Sequence, residues 1–279
     1  MSGTYSDVVE TARRYYNSED ADNFYFHIWG GEDIHIGIYD HADEDIATAS
    51  RRTVRRMAGL LPAPGPDTRV LDVGSGYGGA ARYLAATYAC TVTALNLSEA
   101  ENARNRALCA EQGLGHLVEV VDGSFEDIPF EDGRFDVVWS QDAILHSGRR
   151  ERVIIEVARV LRPGGHFVFT DPMQADNCPP GVLQPVLDRI HLDSLGSFAF
   201  YREVAARHGL AEVEQVEMTG QLVQHYGRVG DELSARRAEL AGKVSEEYID
   251  RMLVGLGHWV TAGENGYLAW GIQHFQKPA

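Results

Sequence analysis

Residues 69–79 read RVLDVGSGYGG, and the fold turns on this stretch. The run RVLDVG at 69–74 is apolar and closes on glycine, the pattern of a buried parallel strand entering a turn. Gly74, Gly76 and Gly78 then stand between that strand and a helix expected over 77–88. Glycines there permit a tight turn and let a ligand approach the backbone, as in dinucleotide-type loops. The spacing is not G-x-G-x-x-G, and 68 residues precede the strand rather than a few. No Gly-Lys-Ser/Thr follows, which excludes a P-loop.

Upstream, DIATASRRTVRRMAGL at 45–60 has helical spacing, with Ile46, Ala49, Val54, Met57 and Leu60 on one stripe, and PAPGPD at 62–67 stops it. Downstream, strands at 91–98, 117–121, 135–141 and 166–172 alternate with helices at 99–112 and 149–161. Such alternation predicts a parallel sheet with crossover helices on both faces, an α/β fold. From 179 to about 262 the pattern becomes mostly helical around a strand at 212–218. YLAWGIQHFQK then alternates like a final strand, expected as an antiparallel edge. The organisation expected is an N-terminal helical cap and aromatic lid over 1–61 and a ligand-binding domain over 62–279. The latter carries a substrate-capping insertion at about 179–262.

The residues that end the strands are informative. Asn96 ends the second strand, where a nicotinamide site would place an acid on the ribose. Asp122-Gly123-Ser124 ends the third, PFEDGRFDVVWSQDAILH supplies the fourth with its loop, and LRPGG precedes the fifth. Over residues 69–172 this ordered set resembles the class I S-adenosylmethionine-dependent methyltransferases. The resemblance implies a Rossmann-like, mostly parallel seven-stranded sheet and S-adenosyl-L-methionine as cofactor. It implies that Gly74 and Gly76 meet the methionine part, with Asp72 supporting the loop and Gln141 beneath. Asn96 would bond the ribose, Leu97 would pack on adenine, and Asp122, Gly123 and Ser124 would read its edge. From the residues alone, Asp72 as a loop cap and Leu97 as core stay open.

WSQDAILHS, TDPM and FYFHIWGGEDIHIGIYD (24–40) extend the likeness from about residue 15 to the C-terminus. Together they resemble the sarcosine/dimethylglycine N-methyltransferases of glycine betaine synthesis. That implies sarcosine and N,N-dimethylglycine as small-molecule substrates. Other acceptors, such as a phosphoethanolamine headgroup or a quinone, and a cofactor-binding module without turnover, are the alternatives. Methyl transfer to an amine is a direct displacement, so alignment of nitrogen, methyl and sulfur supplies most of the rate. The quaternary product has no N–H to donate, and aromatic faces suit it at about 0.5–2 kcal/mol per contact. Tyr25, Trp29 and Tyr201 are the aromatic candidates. Phe24, Phe26 and Ile28 alternate with Tyr25, His27 and Trp29, so one of those sets is ordinary packing. A substrate carboxylate calls for arginine. Arg189 is preferred over Arg202 and Arg228 because its segment should fold over the strand ends. His146 is the candidate base or loop organiser, with Asp142 beside it as an orienting group.

Composition bounds the rest. The 41 acids against 25 bases give a net charge of −16, which disfavours nucleic acid. Only Lys243 and Lys277 are lysines. A lysine-poor acidic surface fits work in high salt, and a GC-rich genome favouring arginine codons explains the same bias. No apolar run approaches the roughly 20 residues of a membrane span, and no leader is visible. Cys90, Cys109 and Cys178 lack metal-ligand spacing, and the eleven histidines, His35 and His41 among them, form no metal motif. The expectation is a cytoplasmic, metal-free enzyme. The sequence is silent on oligomeric state.

Overall fold

The computed structural model describes residues 7–190 and 192–279. The first six residues of the expected cap therefore lie outside the described residues. The chain opens with α1 (Asp7–Tyr16), α2 (Glu19–Phe24) and a single π-helical turn over Tyr25–Trp29, followed after a loop by α3 (Ile46–Ala58). The α/β alternation runs β1 (Arg69–Val73), α4 (Gly79–Tyr88), β2 (Thr91–Asn96), α5 (Glu99–Glu111), β3 (Val118–Asp122), β4 (Phe135–Gln141), α6 (Arg150–Val160) and β5 (Leu161–Thr170). Then come β6 (Met173–Gln174), α7 (Gln184–Ile190), α8 (Phe198–Arg207), β7 (Ala211–Glu217), α9 (Thr219–Ala235), α10 (Glu246–Glu264), β8 (Leu268–Ala269) and β9 (Gly271–Gln276).

Seven strands form one sheet in the order β3-β2-β1-β4-β5-β9-β7, and β1 to β5 pair in parallel. Strand β1 shows why. Val70 packs with Val92, Trp139 and Val168 on one face, and Leu71 and Val73 pack with Val138, Phe167 and Phe169 on the other. A strand buried on both faces needs helices on both sides, which the crossovers provide.

Two expectations change here. β9 is antiparallel but interior, lying between β5 and β7, and β7 is the edge. Its Gln273 and His274 are as buried as its Ile272 and Phe275, so polar side chains imitated an edge pattern. RPGG does not precede β5 but lies inside it, where the register with β4 shifts between Phe135 and Val137. An irregularity of that kind accommodates Pro163, which has no N–H to donate.

The 179–262 segment divides. β7 joins the sheet and α8 packs against its lower core, whereas α7, α9 and α10 form a cap with α2 and the π turn. In that cap Tyr226 stacks on Trp259 with centroids 4.7 Å apart and planes within 3°. FYFHIW is also helical rather than alternating. Phe24, Tyr25, Ile28 and Trp29 are buried together, while Phe26 and His27 are only partly buried, with the Arg104 guanidinium over the Phe26 ring. Gly30 and Gly31, with φ of 149° and 73°, end the turn and send residues 32–38 over the C-terminal ends of the strands. Ser50 and Thr53 of α3 hold that loop by donating to the carbonyls of His35 (2.9 Å) and Ile36 (2.8 Å).

Candidate active site

Two adjoining cavities lie at the strand ends, where ligands of doubly wound sheets bind. Tyr16, Ile34, His35, Asp142 and His146 line both and form the boundary between them.

The first cavity is a cleft built on the glycine loop. Gly74 and Gly76 have φ of 74° and 50°, disfavoured for residues with a Cβ. A Cβ on Gly74 would collide with Ala143, and one on Gly76 would stand 3.1 Å from Ile34 of the lid. The loop is fixed from below by buried Arg82, which donates to Tyr77 O (2.6 Å), Asn105 Oδ1 (2.8 Å) and Glu32 Oε2 (2.6 Å). Asp72, Asn96, Leu97, Gly123, Ser124 and Gln141 line the cleft with the two glycines.

Several polar atoms in this cleft are left for a ligand. Asp72 Oδ2, Ser75 Oγ and Gln141 Nε2 are buried without partners among the described residues. Burial, with the neighbouring Asp33 carboxylate adding to it, pushes the Asp72 carboxyl up to about 7. Asn96 is oriented by a residue that sequence reasoning missed. Its Nδ2 donates to Glu101 Oε2 at 2.8 Å, which fixes the orientation of an amide that lines the cleft. Ser98 caps α5 by accepting from the Glu101 amide at 3.2 Å. In a capping box the Glu would reach back to the Ser98 amide; here its carboxylate goes to Asn96. Burial lifts the Glu101 carboxyl to about 7. The S-x-x-E spacing was the signal available in the sequence.

Asp122 departs from its expected role. Its carboxylate accepts from Asn102 Nδ2 (2.8 Å) and Arg106 Nη2 (2.6 Å), is half exposed, and does not line the cleft. The pleat that turns Asp122 outward leaves Gly123, Ser124 and Phe125 at the cleft instead.

The second cavity is aromatic. Tyr25 and Trp29 line it with Tyr15, Tyr226 and Trp259, and Arg189 enters from α7. Arg189 makes no ion pair with any carboxylate of the described residues; its Nη2 meets Met252 Sδ at 2.8 Å, and its Nε is buried without a partner. Tyr16 Oη and His146 Nε2 are 2.8 Å apart on the boundary. Burial, reinforced by the positive charges of Arg150 and Arg189, lowers His146 to about 4, so it is neutral at pH 7. Asp142, in the left-handed region at φ 50°, accepts from Ile36 N (2.7 Å) and Trp270 Nε1 (2.8 Å), clamping the lid loop to the sheet.

Tyr201 lines neither cavity. It is fully buried beneath the sheet, and its hydroxyl donates to Asp171 Oδ2 at 2.6 Å. Asp171 Oδ1 in turn accepts from Leu145 N at 2.9 Å, so Tyr201 supports the turn that carries His146. His41 is exposed and paired with Asp43, whereas His35 is buried and lines both cavities.

A methyltransferase-domain family model matches residues 71–169. The sarcosine/dimethylglycine N-methyltransferase of Halorhodospira halochloris is 60% identical over 278 residues, covering 99% of this chain and 100% of that protein. The chain belongs to the sarcosine/dimethylglycine N-methyltransferase family. The enzyme of that name from Aphanothece halophytica is 56% identical over 97% of this chain and 98% of its own length. A solved structure from Galdieria sulphuraria, proposed there to be a sarcosine dimethylglycine methyltransferase, superposes with a TM-score of 0.90 at 41% identity, covering 95% of this chain and 99% of that one. The family uses S-adenosylmethionine, and the unpartnered Asp72, Ser75 and Gln141 atoms, with the Asn96 amide at the cleft wall, fit a ligand that carries an ammonium group and ribose hydroxyls. No described helix is long and apolar enough to cross a membrane.

Proposed function

We propose that this enzyme N-methylates sarcosine and N,N-dimethylglycine to give the osmolyte glycine betaine, with Arg189 holding the acceptor's carboxylate. The observation that carries the reading is a partly buried arginine in a tyrosine-lined cavity with no carboxylate of its own. A buried guanidinium without a counter-ion is costly, and a small amino acid supplies what is missing in bidentate form. With its carboxylate on Arg189, the acceptor's nitrogen faces the boundary at Tyr16 and His146, toward the cofactor cleft. Tyr25 and Trp29 then offer aromatic faces to the nitrogen as it becomes quaternary.

S-adenosylmethionine supplies an electrophilic methyl group when bound. Asp72, Gly74, Gly76, Gln141 and Asn96 would hold it, and Leu97, Gly123 and Ser124 would enclose its base. His146 serves alignment rather than proton removal. His146 at about 4 is too weak a base to take a proton from an alkylammonium group. The acceptor amine therefore sheds its proton before it is enclosed, and His146 orients Tyr16. We also read the enzyme as cytoplasmic, in keeping with its three free cysteines.

The test is to incubate the protein with methyl-labelled S-adenosylmethionine and glycine, sarcosine, dimethylglycine or phosphoethanolamine. Label in dimethylglycine and glycine betaine is the expected result. Transfer to phosphoethanolamine alone, or to none of the four, would reject the reading.

A further inference from the structure

Helix α10 contains a glycine at 255, well inside its span of Glu246–Glu264. An interior glycine weakens a helix relative to alanine, so a glycine with close neighbours points to a packing reason. At Gly255 the reason is visible. The aliphatic stem of Arg189, from α7, lies across it. A Cβ added there would collide with Arg189 Cδ and stand 2.7 Å from Nε and 3.1 Å from Cγ. Gly257, two residues on, has nothing within 4 Å of the same added atom. Met252, three residues before Gly255 and so on the same face, places its thioether against the guanidinium. A thioether is a weak acceptor that leaves the arginine's charge uncompensated.

We propose that Gly255 is a positioning residue for the acceptor: the gap it leaves in α10 seats the stem of Arg189, and this seat delivers the guanidinium to the tyrosine-lined cavity. The inference rests on the reading of Arg189 as the carboxylate anchor. Gly255 touches neither acceptor nor cofactor and acts only through Arg189. Displacing the stem by one methyl group separates the guanidinium from its ligand while leaving the cofactor cleft, on the other side of the boundary, unaltered.

The experiment is steady-state kinetics of the full chain with dimethylglycine at saturating S-adenosylmethionine, for Gly255→Ala, Gly257→Ala, Arg189→Ala and the Gly255→Ala/Arg189→Ala pair. Gly255→Ala should raise the dimethylglycine KM about tenfold or more, the loss of one charge-assisted hydrogen bond. The KM for S-adenosylmethionine and the folded state should be kept. Gly257→Ala should leave the acceptor KM unchanged. In the Arg189→Ala background the second substitution should add nothing, since the two act through one contact. A wild-type KM in Gly255→Ala, or an equal further loss in the Arg189→Ala background, overturns the proposal. An unchanged KM in Arg189→Ala instead rejects the anchor reading itself. Should Gly255→Ala alone not fold, the pair with Arg189→Ala folds if the clash is with that stem, and a pair that also fails to fold overturns the proposal.

Discussion

Tyr16 Oη and His146 Nε2 stand 2.8 Å apart, with their rings nearly perpendicular at 88°, joining the last residue of α1 to the turn after β4. Burial holds the Tyr16 phenol protonated and the His146 imidazole neutral, so a single proton lies between Oη and Nε2, with the donor set by the imidazole tautomer. This bond fastens the N-terminal lid across the line where the two cavities meet. Tyr16→Phe should lower kcat/KM for dimethylglycine by about 2–12-fold, the worth of one hydrogen bond of about 0.5–1.5 kcal/mol. His146→Phe should cost a similar amount, and the double variant should cost little more than either. Full additivity in that cycle would show that the bond carries no function.

The neutral state of His146 has a thermodynamic signature. Its folded value of about 4 lies below the ordinary histidine value of 6.5. The folded state therefore binds fewer protons than the unfolded chain between those limits, and stability falls as pH drops from 6.5 toward 4. Above pH 6.5 the shift contributes nothing. In thermal melts at pH 4.5, 5.5, 6.5 and 7.5, the difference in Tm between His146→Gln and wild type should move in favour of the variant as pH falls. A difference independent of pH would contradict burial of a neutral imidazole.

Glu101 orients Asn96 from one turn into α5, and its removal leaves a buried amide donor without a partner. Glu101→Ala should weaken binding of S-adenosylhomocysteine about tenfold by calorimetry, within the roughly 1–3 kcal/mol cost of an orphaned donor. The dimethylglycine KM at saturating cofactor should hold. Wild-type affinity for S-adenosylhomocysteine would remove Glu101 from the ribose side of the cleft.

Asp142 accepts from Ile36 N and Trp270 Nε1 with its two oxygens. Asp142→Asn replaces one acceptor oxygen with an NH2 group facing a donor. Hydrogen exchange at the Ile36 amide should then accelerate by about tenfold or more. Exchange across β1 and β4 should keep its wild-type rate. Unchanged Ile36 protection would mean that the α3 hydroxyls of Ser50 and Thr53 suffice to hold the lid.

The lining of the first cleft was legible in sequence because its residues sit at or just after strand ends in short ordered motifs. Asn96 and Gln141 end a strand, Gly74 and Gly123 directly follow one, and Gly76 lies in the turn after β1, and the topology of a parallel sheet brings such ends to one edge. Asp122 misled because it occupies such an end while the pleat points it outward to Arg106. Tyr201 misled for another reason: a tyrosine near an acceptor segment can bury its ring and satisfy its hydroxyl internally, as this one does on Asp171. Tyr16, Asp33, Tyr226 and Trp259 carry no local motif, and His35 reads in sequence only as a loop residue. They reach the site through the lid and cap, whose packing brings together residues more than 200 positions apart, as in the Tyr15–Tyr248 hydroxyl pair at 2.9 Å. Gln273 and His274 in β9 carry the same lesson for the fold. Buried polar residues in a central strand imitate the alternation of an edge.

The central claim is that Arg189 anchors the acceptor beside the Tyr16–His146 boundary. A crystal structure with S-adenosylhomocysteine and dimethylglycine tests it most directly. Both carboxylate oxygens should lie within hydrogen-bonding distance, about 2.7–2.9 Å, of the Arg189 guanidinium, with the nitrogen between Tyr16 and the cofactor's sulfur. Dimethylglycine bound with its carboxylate on another cation, or outside the tyrosine-lined cavity, would contradict it.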